Sequence, residues 1–429
     1  TPDPLYYYAE GTASAAPDFK AVGGTVISSY WNSTNTDLSL NVVIANDSTL
    51  DGGEIQLKAN VASGGFEDLS GVYAITTSDI NSNKYFTITA ADFEALSSNL
   101  QLNEEVTFRV DISDNAGNFT QGTASTDFIT FDETLPTIGT FSYSTFWGEY
   151  LNRTNRGQDG AGGGMITLPV TGASGETLSI TLNGVTQESS MIDTNNTTSV
   201  TVSFTAANLL ALTDGQTYDM SANVKDLAGN AAAEVESQQF TVDATAPTIT
   251  SVKLIEHGGS ANAKLEVTFS EDVYNYYFGD HNNASGALEP HDFSMNIIGG
   301  TAALDSGGID EPSAVDISNN GTSDISNVWT LTIPYDAMHT ADGSETLRVD
   351  ISGAASIYDI AGNAASTTQS NNTVTLYDET APTASAAPSF TAVGGTVVSN
   401  YWNSTNTDLS LNIAIPNDST LEGGGIQLK

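Results

Sequence analysis

Asp114-Asn115-Ala116-Gly117-Asn118 is followed, 18 residues on from its aspartate, by Asp132-Glu133-Thr134-Leu135-Pro136-Thr137. The pair returns as Asp226-Leu227-Ala228-Gly229-Asn230 with Asp243-Ala244-Thr245-Ala246-Pro247-Thr248. It returns again as Asp359-Ile360-Ala361-Gly362-Asn363 with Asp378-Glu379-Thr380-Ala381-Pro382-Thr383. In these copies the leading aspartates stand 17 and 19 residues apart, room for a turn and one strand. Glycine reaches positive φ, and Asp and Asn fold their side chains onto turn amides. The proline then fixes φ and holds the residue before it extended, so the chain leaves stiffly. Each pair reads as the end of a β-domain, and three in register read as a tandem array of β-sandwiches.

Working outward gives domains at 13–133, 134–244 and 245–379, a lead-in at 1–12, and a further start at 380–429. In the first, Asp37–Ile44, Glu54–Lys58, Tyr85–Thr89, Glu105–Ile112 and Asp127–Phe131 alternate apolar and polar residues, as half-buried strands do. Thr89–Leu96 and Thr205–Leu212 each predict one helical turn, at equivalent places in the first two domains. The third domain is longer, with its extra length expected in polar loops at Tyr274–Asp292 and Asp305–Asp324. Long loops on a rigid scaffold are where binding would be placed.

Residues 384–429 repeat 13–58 at an offset of 371, with 37 of the 46 positions identical. Three sandwiches thus make a super-repeat, and a fourth begins the next. Half a sandwich cannot bury its core alone. The expectation is that its missing strands follow in a longer chain or come from another molecule. The lead-in aligns with 372–383, but Tyr7 stands where Asp378 does, so either the mature chain starts here or the preceding junction differs.

Eleven basic residues against 52 acidic ones give a formal charge of −41. Such a surface repels nucleic acid and anionic lipid and draws divalent cations. There are no cysteines, so neither disulfides nor compartment can be read from them. No apolar run is long enough to insert in a membrane as a helix, and Thr1-Pro2-Asp3-Pro4 has no leader-peptide character. Regular alternation with 16 Tyr and 16 Phe argues for folded, β-rich structure rather than disorder.

The Asp-x-Ala-Gly-Asn turn and the Asp-x-Thr-x-Pro-Thr junction resemble those of bacterial immunoglobulin-like repeats in giant cell-surface and secreted adhesins, including type I-secreted ones. Val267-Thr268-Phe269-Ser270-Glu271-Asp272-Val273 is similar to the opening of immunoglobulin-like modules of surface-layer proteins. The resemblance covers nearly the whole chain. It implies an all-β fold, tandem immunoglobulin-like β-sandwiches in an extended array, secreted or on a bacterial surface, with junctions that often bind calcium. Its place in adhesion, a biofilm or a filament follows from the same resemblance.

Calcium takes several oxygen ligands, mostly carboxylates and carbonyls. The junctions offer Asp132 and Glu133, Asp243, and Asp378 and Glu379. The turns offer Asp114 with Asn118, Asp226 with Asn230, and Asp359 with Asn363, read as lying at the same end of the sandwich. Ala244, where the other junctions have Glu, weakens the second site. The plainer reading is that Asp and Asn satisfy turn amides while the linker acids are solvated.

All four histidines, His257, His281, His291 and His339, fall in domain three, and Glu289 and Asp292 adjoin His291. Their spacing fits no zinc motif, and scattered surface histidines are the better reading. Gly160–Gly164 lacks the lysine of a phosphate loop, and no catalytic signature is visible, so no enzyme is expected. Tyr30-Trp31, Phe146-Trp147 and Tyr274–Phe278 have rings able to stack on sugars, against the commoner use of such residues in cores. The sequence therefore predicts a calcium-stiffened stalk whose partners are its own neighbouring domains and divalent cations. The alternatives are a filament or surface layer of copies joined by strand exchange, and a glycan- or protein-binding module using the domain-three loops. Sandwiches with strands of about eight residues would each add roughly 40 Å.

Overall fold

Period-two alternation decides which residues face inward, and the strands follow it. The computed structural model describes residues 13–96, 100–142, 146–158, 163–193, 199–256, 263–277, 284–300, 326–333, 341–378, 386–417 and 421–429. The lead-in, His257, His281, His339, Glu379, Phe278, Gly160–Gly162 and the 305–324 stretch lie outside these residues. The chain divides into two compact units, 1–243 and 244–429. Among the described residues, buried apolar side chains gather in three clusters, within 21–129, 141–242 and 249–376.

In the first unit the leading sandwich has strands β1 (Asp18–Val22), β2 (Tyr30–Trp31), β3 (Asp37–Val43), β4 (Glu54–Val61), β5 (Phe66–Asp68), β6 (Tyr73–Ala74), β7 (Asn83–Thr89), β8 (Glu104–Ser113), β9 (Phe119–Thr120) and β10 (Ile129–Phe131). One sheet runs β1-β3-β7 and the other β2-β10-β8-β4-β5, with β6 and β9 pairing onto β4 and β8. Only β2 and β10 run parallel in this pair of sheets. Splitting of the first strand between two sheets, with its second half parallel to the last strand, is an immunoglobulin-like arrangement. The split falls at Gly23-Gly24, with φ of +84° and +55°; a Cβ there would meet Thr36 or Thr34 at 2.3 Å. Leu38, Leu40 and Val42 of β3 face Leu57, Ala59, Phe108 and Val110 across the core. Each large apolar side chain so buried contributes about 1.5–3 kcal/mol.

The second sandwich repeats this plan with β11 (Thr137–Ile138), β12 (Tyr150–Leu151), β13 (Gly163–Leu168), β14 (Val170–Thr171), β15 (Ser179–Leu182), β16 (Val185–Glu188), β17 (Val200–Thr205), β18 (Thr217–Tyr218), β19 (Met220–Asn223), β20 (Val235–Glu236) and β21 (Phe240–Val242). Again a short early strand, β12, lies parallel to the last, β21. Both helical turns form where the sequence places them: α1 (Ala90–Glu94), capped by Thr89, and α2 (Ala206–Leu210), with a capping box between Thr205 and Asn208. Arg156, itself buried, donates to the Leu210 and Leu212 carbonyls at 3.2 and 2.7 Å, satisfying the end of α2.

In the second unit, β22 (Ile249–Glu256), β23 (Ala263–Val273) and β27 (Ser326–Ile333) form one sheet. β26 (Phe293–Ile298), β28 (Thr346–Ile351) and β29 (Thr373–Thr375) form the facing one, over Val267, Phe269, Trp329, Leu331 and Val349. Part of the expected polar loop is ordered instead as the ladder β24 (Tyr276–Tyr277) with β25 (Ala284–Ser285), and as a 3₁₀ turn at Pro290–Asp292. The repeat of the first sandwich's start gives β30 (Ser389–Val393) paired with β31 (Asp408–Asn412).

That 3₁₀ turn buries Asp292, whose carboxylate accepts the Glu289 N–H at 2.6 Å. Burial pushes its pKa up to about 6, and that hydrogen bond opposes the shift. A carboxyl with a raised folded-state pKa favours the folded state when protonated, so its contribution is present in acid and lost as pH rises through about 6. Asp292→Asn should therefore raise the third sandwich's stability at pH 7.5 relative to pH 5 by roughly 1–2 kcal/mol compared with the parent. Urea melts at the two pH values check this, and an unchanged pH difference would refute it.

Candidate functional site: the joint between the first two sandwiches

Each Asp-x-Ala-Gly-Asn turn is closed by its own aspartate. Asp114 accepts the Asn118 and Ala116 N–H groups at 2.8 and 2.9 Å and the Asn118 side-chain amide at 2.7 Å. Asp226 is bonded to Asn230 at 2.8 and 2.9 Å, and Asp359 to Asn363 at 2.8 Å by both routes. These hydrogen bonds, that of the Asn118 side chain first, hold the Asp114 carboxyl below its ordinary range. The turn chemistry read from sequence is thus present in all three.

Sequence order pairs each turn with the linker that follows it. The second turn instead meets the linker that precedes its own sandwich, because the strand after the turn carries the chain along the sandwich away from it. Asn230, fully buried, donates through Nδ2 to the Asp132 carbonyl at 2.8 Å. Its Oδ1 accepts the Ser33 N–H at 2.9 Å and the Ser33 hydroxyl at 2.8 Å. In return Asn32 of the first sandwich, also fully buried, donates to the Ala228 carbonyl at 2.7 Å. Gly229 lies close enough to the first sandwich that a Cβ would meet Ile27 at 2.8 Å and Thr25 at 3.0 Å. Two asparagines, each reaching across, lock one sandwich to the next.

Asn32 is itself held by its loop. Its Nδ2 donates to the Thr25 carbonyl at 2.7 Å, its Oδ1 accepts from the Thr34 N–H and hydroxyl at 3.0 and 2.6 Å, and its N–H is taken by Asn35 at 2.8 Å. Asn32 and Ser33 are joint residues that sequence reasoning missed, whereas Gly229 belongs to the turn it did quote. The signal for the first two was the run Tyr-Trp-Asn-Ser-Thr-Asn, repeated unchanged at Tyr401.

Beside the lock is a cleft of about 290 Å³ lined by Tyr30, Asp132, Ser174, Asp193, Asp226 and Leu227 among others. Burial, with the nearby Asp226 charge adding, raises the Asp132 pKa, against the Thr134 N–H that Asp132 accepts at 3.0 Å. Among the described residues the buried Ser174 hydroxyl has no hydrogen-bond partner. Glu133 takes a different course from its neighbour: it accepts the Trp31 indole N–H at 3.2 Å and stands beside Glu94, whose pKa rises through burial and that charge. The linker pair is thus split, one acid to the cleft and one to the first sandwich's base.

Asp243, half-buried at the end of the first unit, donates its N–H to the Leu151 carbonyl at 3.1 Å. In the second unit Asp378 is exposed and bridges to Asp342. Glu271, which sequence reasoning did not single out, and buried Asp359 bring carboxylate oxygens within 4.8 Å of each other. His291 is exposed, 3.2 Å from Glu289. The aromatics offered for sugar stacking are mostly core: Trp31 is 0% exposed, Phe146 and Trp147 7%, Tyr274 6%, and of the described ones only Tyr276 is open, at 48%. Alternation places each inward-facing ring where the sheets close over it.

No family model and no curated protein matches this chain. Among solved structures it is similar to one described under host cell surface retention of a 1.5-MDa bacterial ice-binding adhesin, with 16% identity, 85% of this chain, 96% of that one and a TM-score of 0.30. It is similar also to a tetra-tandem repeat in the extending region of a large adhesion protein, with 16% identity, 85% and 75% coverage and a TM-score of 0.24. The FN1–FN3 domains of chicken CNTN1 match at 11% identity, 86% and 99% coverage and a TM-score of 0.22.

Proposed function

We infer that this chain is a spacer from an extracellular, adhesin-like bacterial surface protein, in which successive immunoglobulin-like sandwiches are held in fixed register. The observation that carries this reading is the reciprocal asparagine lock, since a chain of independent modules has no use for two fully buried side chains committed to a neighbour. A charge of −41 supports it: like-charged modules repel, keeping such a chain extended and soluble.

Calcium fits the same joint. The cleft carries Asp132, Asp193 and Asp226 with the Ser174 hydroxyl, unpartnered among the described residues, and the Asp226 charge adds to the cost of ionising Asp132. Hard oxygen donors of this kind suit calcium, which would supply the missing positive charge. Asp132 and Asp226 would hold it, and in the second unit Glu271 and Asp359 make a like pair. Asp243, Asp378 and Glu379 belong to this proposal as linker acids. Asp114, Asn118, Asn230 and Asn363 act through their turns.

Calcium at a hundredfold excess over its dissociation constant should stabilise the first unit by about 2.7 kcal/mol relative to chelator. Asp132→Asn should abolish that increment while raising the melting temperature in chelator, because a half-buried charge beside Asp226 is gone. Melting curves that coincide with and without calcium would remove the metal from this account and leave the lock alone.

A further inference from the structure

The cleft beside the lock is larger than an ion needs. Its volume of about 290 Å³ is some ten times the ~30 Å³ that one water occupies in the liquid. It approaches the roughly 300 Å³ at which pockets begin to take small organic ligands. Its walls are also mixed. Asp132, Asp193 and Asp226 share them with the Tyr30 ring and with Leu102 and Leu227, two leucines that stay exposed. Leu227 is the second residue of its turn, where the first sandwich has Asn115, and the hydrogen bonds that close the turn ask for no apolar residue there. Among the cleft's described lining residues none is basic.

The polar side of the cleft is held in place by the protein. Asp226 is fixed by Asn230, and Asp132 by the Thr134 N–H, yet a carboxylate has about four lone-pair sites and each keeps some to spare. The Ser174 hydroxyl, buried and without a partner among the described residues, lines the same space. The cleft thus calls for positive charge and for apolar bulk together. A metal ion supplies only the charge. An ammonium on an aliphatic chain supplies both: three N–H donors for carboxylate and hydroxyl oxygens, and methylenes to cover the leucines.

We propose that the cleft between the first two sandwiches binds a primary alkylammonium group, its head among Asp132, Asp193 and Ser174 and its chain along Leu102 and Leu227. The Tyr30 ring adds the attraction of an aromatic face for a cation. Two sources carry this chemistry, a free aliphatic diamine and a lysine side chain of a partner protein, and both end in the same group. The proposal rests on the joint cleft and not on calcium within it. Metal and amine would compete for the same acids, but only the amine uses the leucines.

The test is calorimetric titration of 1,5-diaminopentane into the full chain, in chelator and at physiological salt, which screens diffuse attraction to the acidic surface. One saturable site is expected. Asp132→Asn should weaken it by about tenfold or more, the weight of one charge-assisted hydrogen bond. Leu227→Ser should weaken the amine severalfold while leaving any calcium-dependent rise in melting unchanged. Nα-acetyl-lysine N-methylamide binding as tightly as the diamine would assign the source to a protein lysine, and binding of the diamine alone to a free polyamine. An amine that binds the Asp132→Asn chain as tightly as the parent, with circular dichroism unaltered, would be following net charge and would overturn the proposal. So would the absence of a saturable site, or an affinity indifferent to Leu227→Ser.

Discussion

Trp31→Ala is expected to destabilise the first sandwich by about 3–5 kcal/mol, the cost of emptying a large buried site. Its indole is 0% exposed, packs 4.7 Å from the Phe93 ring centroid, and gives its N–H to Glu133. At about 4 °C or more per kcal/mol for a domain of this size, the first melting transition should fall by well over 10 °C. The same residue opens the joint loop, so the lock should loosen with the core. Trp31→Phe fills most of the space and should cost about half as much, leaving the Glu133 carboxylate beside Glu94 without its donor. Differential scanning calorimetry separates the outcomes. A shift under 2 °C for the alanine variant would mean that the ring is not in the core, and would revive sugar stacking for it.

Asn230→Ala should cost roughly 2–4 kcal/mol, mostly from groups left unpaired: the Asp132 carbonyl, the Ser33 N–H and hydroxyl, and the second Asp226 oxygen. The sign on the joint is as informative as the size. Because three of those groups belong to the first sandwich and the linker that ends it, the variant should let the two sandwiches move independently. Small-angle scattering of the full chain should then broaden its distance distribution, and the melting transitions of the two sandwiches should separate. Asn32→Ala removes the reciprocal bond to Ala228 and should act in the same direction. Asn230→Asp keeps an acceptor for Ser33 but places a third carboxylate by Asp132 and Asp226, so its penalty should shrink as pH falls. Unchanged scattering and unchanged melting for Asn230→Ala would sink both the lock and the spacer reading built on it.

Much of the fold was legible because its causes are local. Period-two alternation in Asp37–Ile44 and Glu105–Ile112 marks β3 and β8, with Leu38, Leu40, Phe108 and Val110 facing in. Thr89 and Thr205 announce α1 and α2 as caps. The Asp-Asn closure of each turn is a five-residue affair, and all three copies close as the sequence says. The repeat at an offset of 371 likewise needs only comparison of the chain with itself.

Tertiary structure alone decided which turn meets which linker. Asn230 and Asp132 lie 98 residues apart and Asn32 and Ala228 lie 196 apart, pairings fixed only once two sheets have closed and set the direction of each strand. Tyr30-Trp31 reads equally well as a surface pair or a core pair until the facing sheet covers Trp31. Asp132 and Glu133 are indistinguishable in sequence, yet the strand pairing sends one to the cleft and the other to an indole. Sequence determines local hydrogen bonding and which face of a strand is apolar, because both depend on near neighbours. Partners across a joint depend on where the folded chain brings distant backbone, and burial then fixes what each side chain must bond.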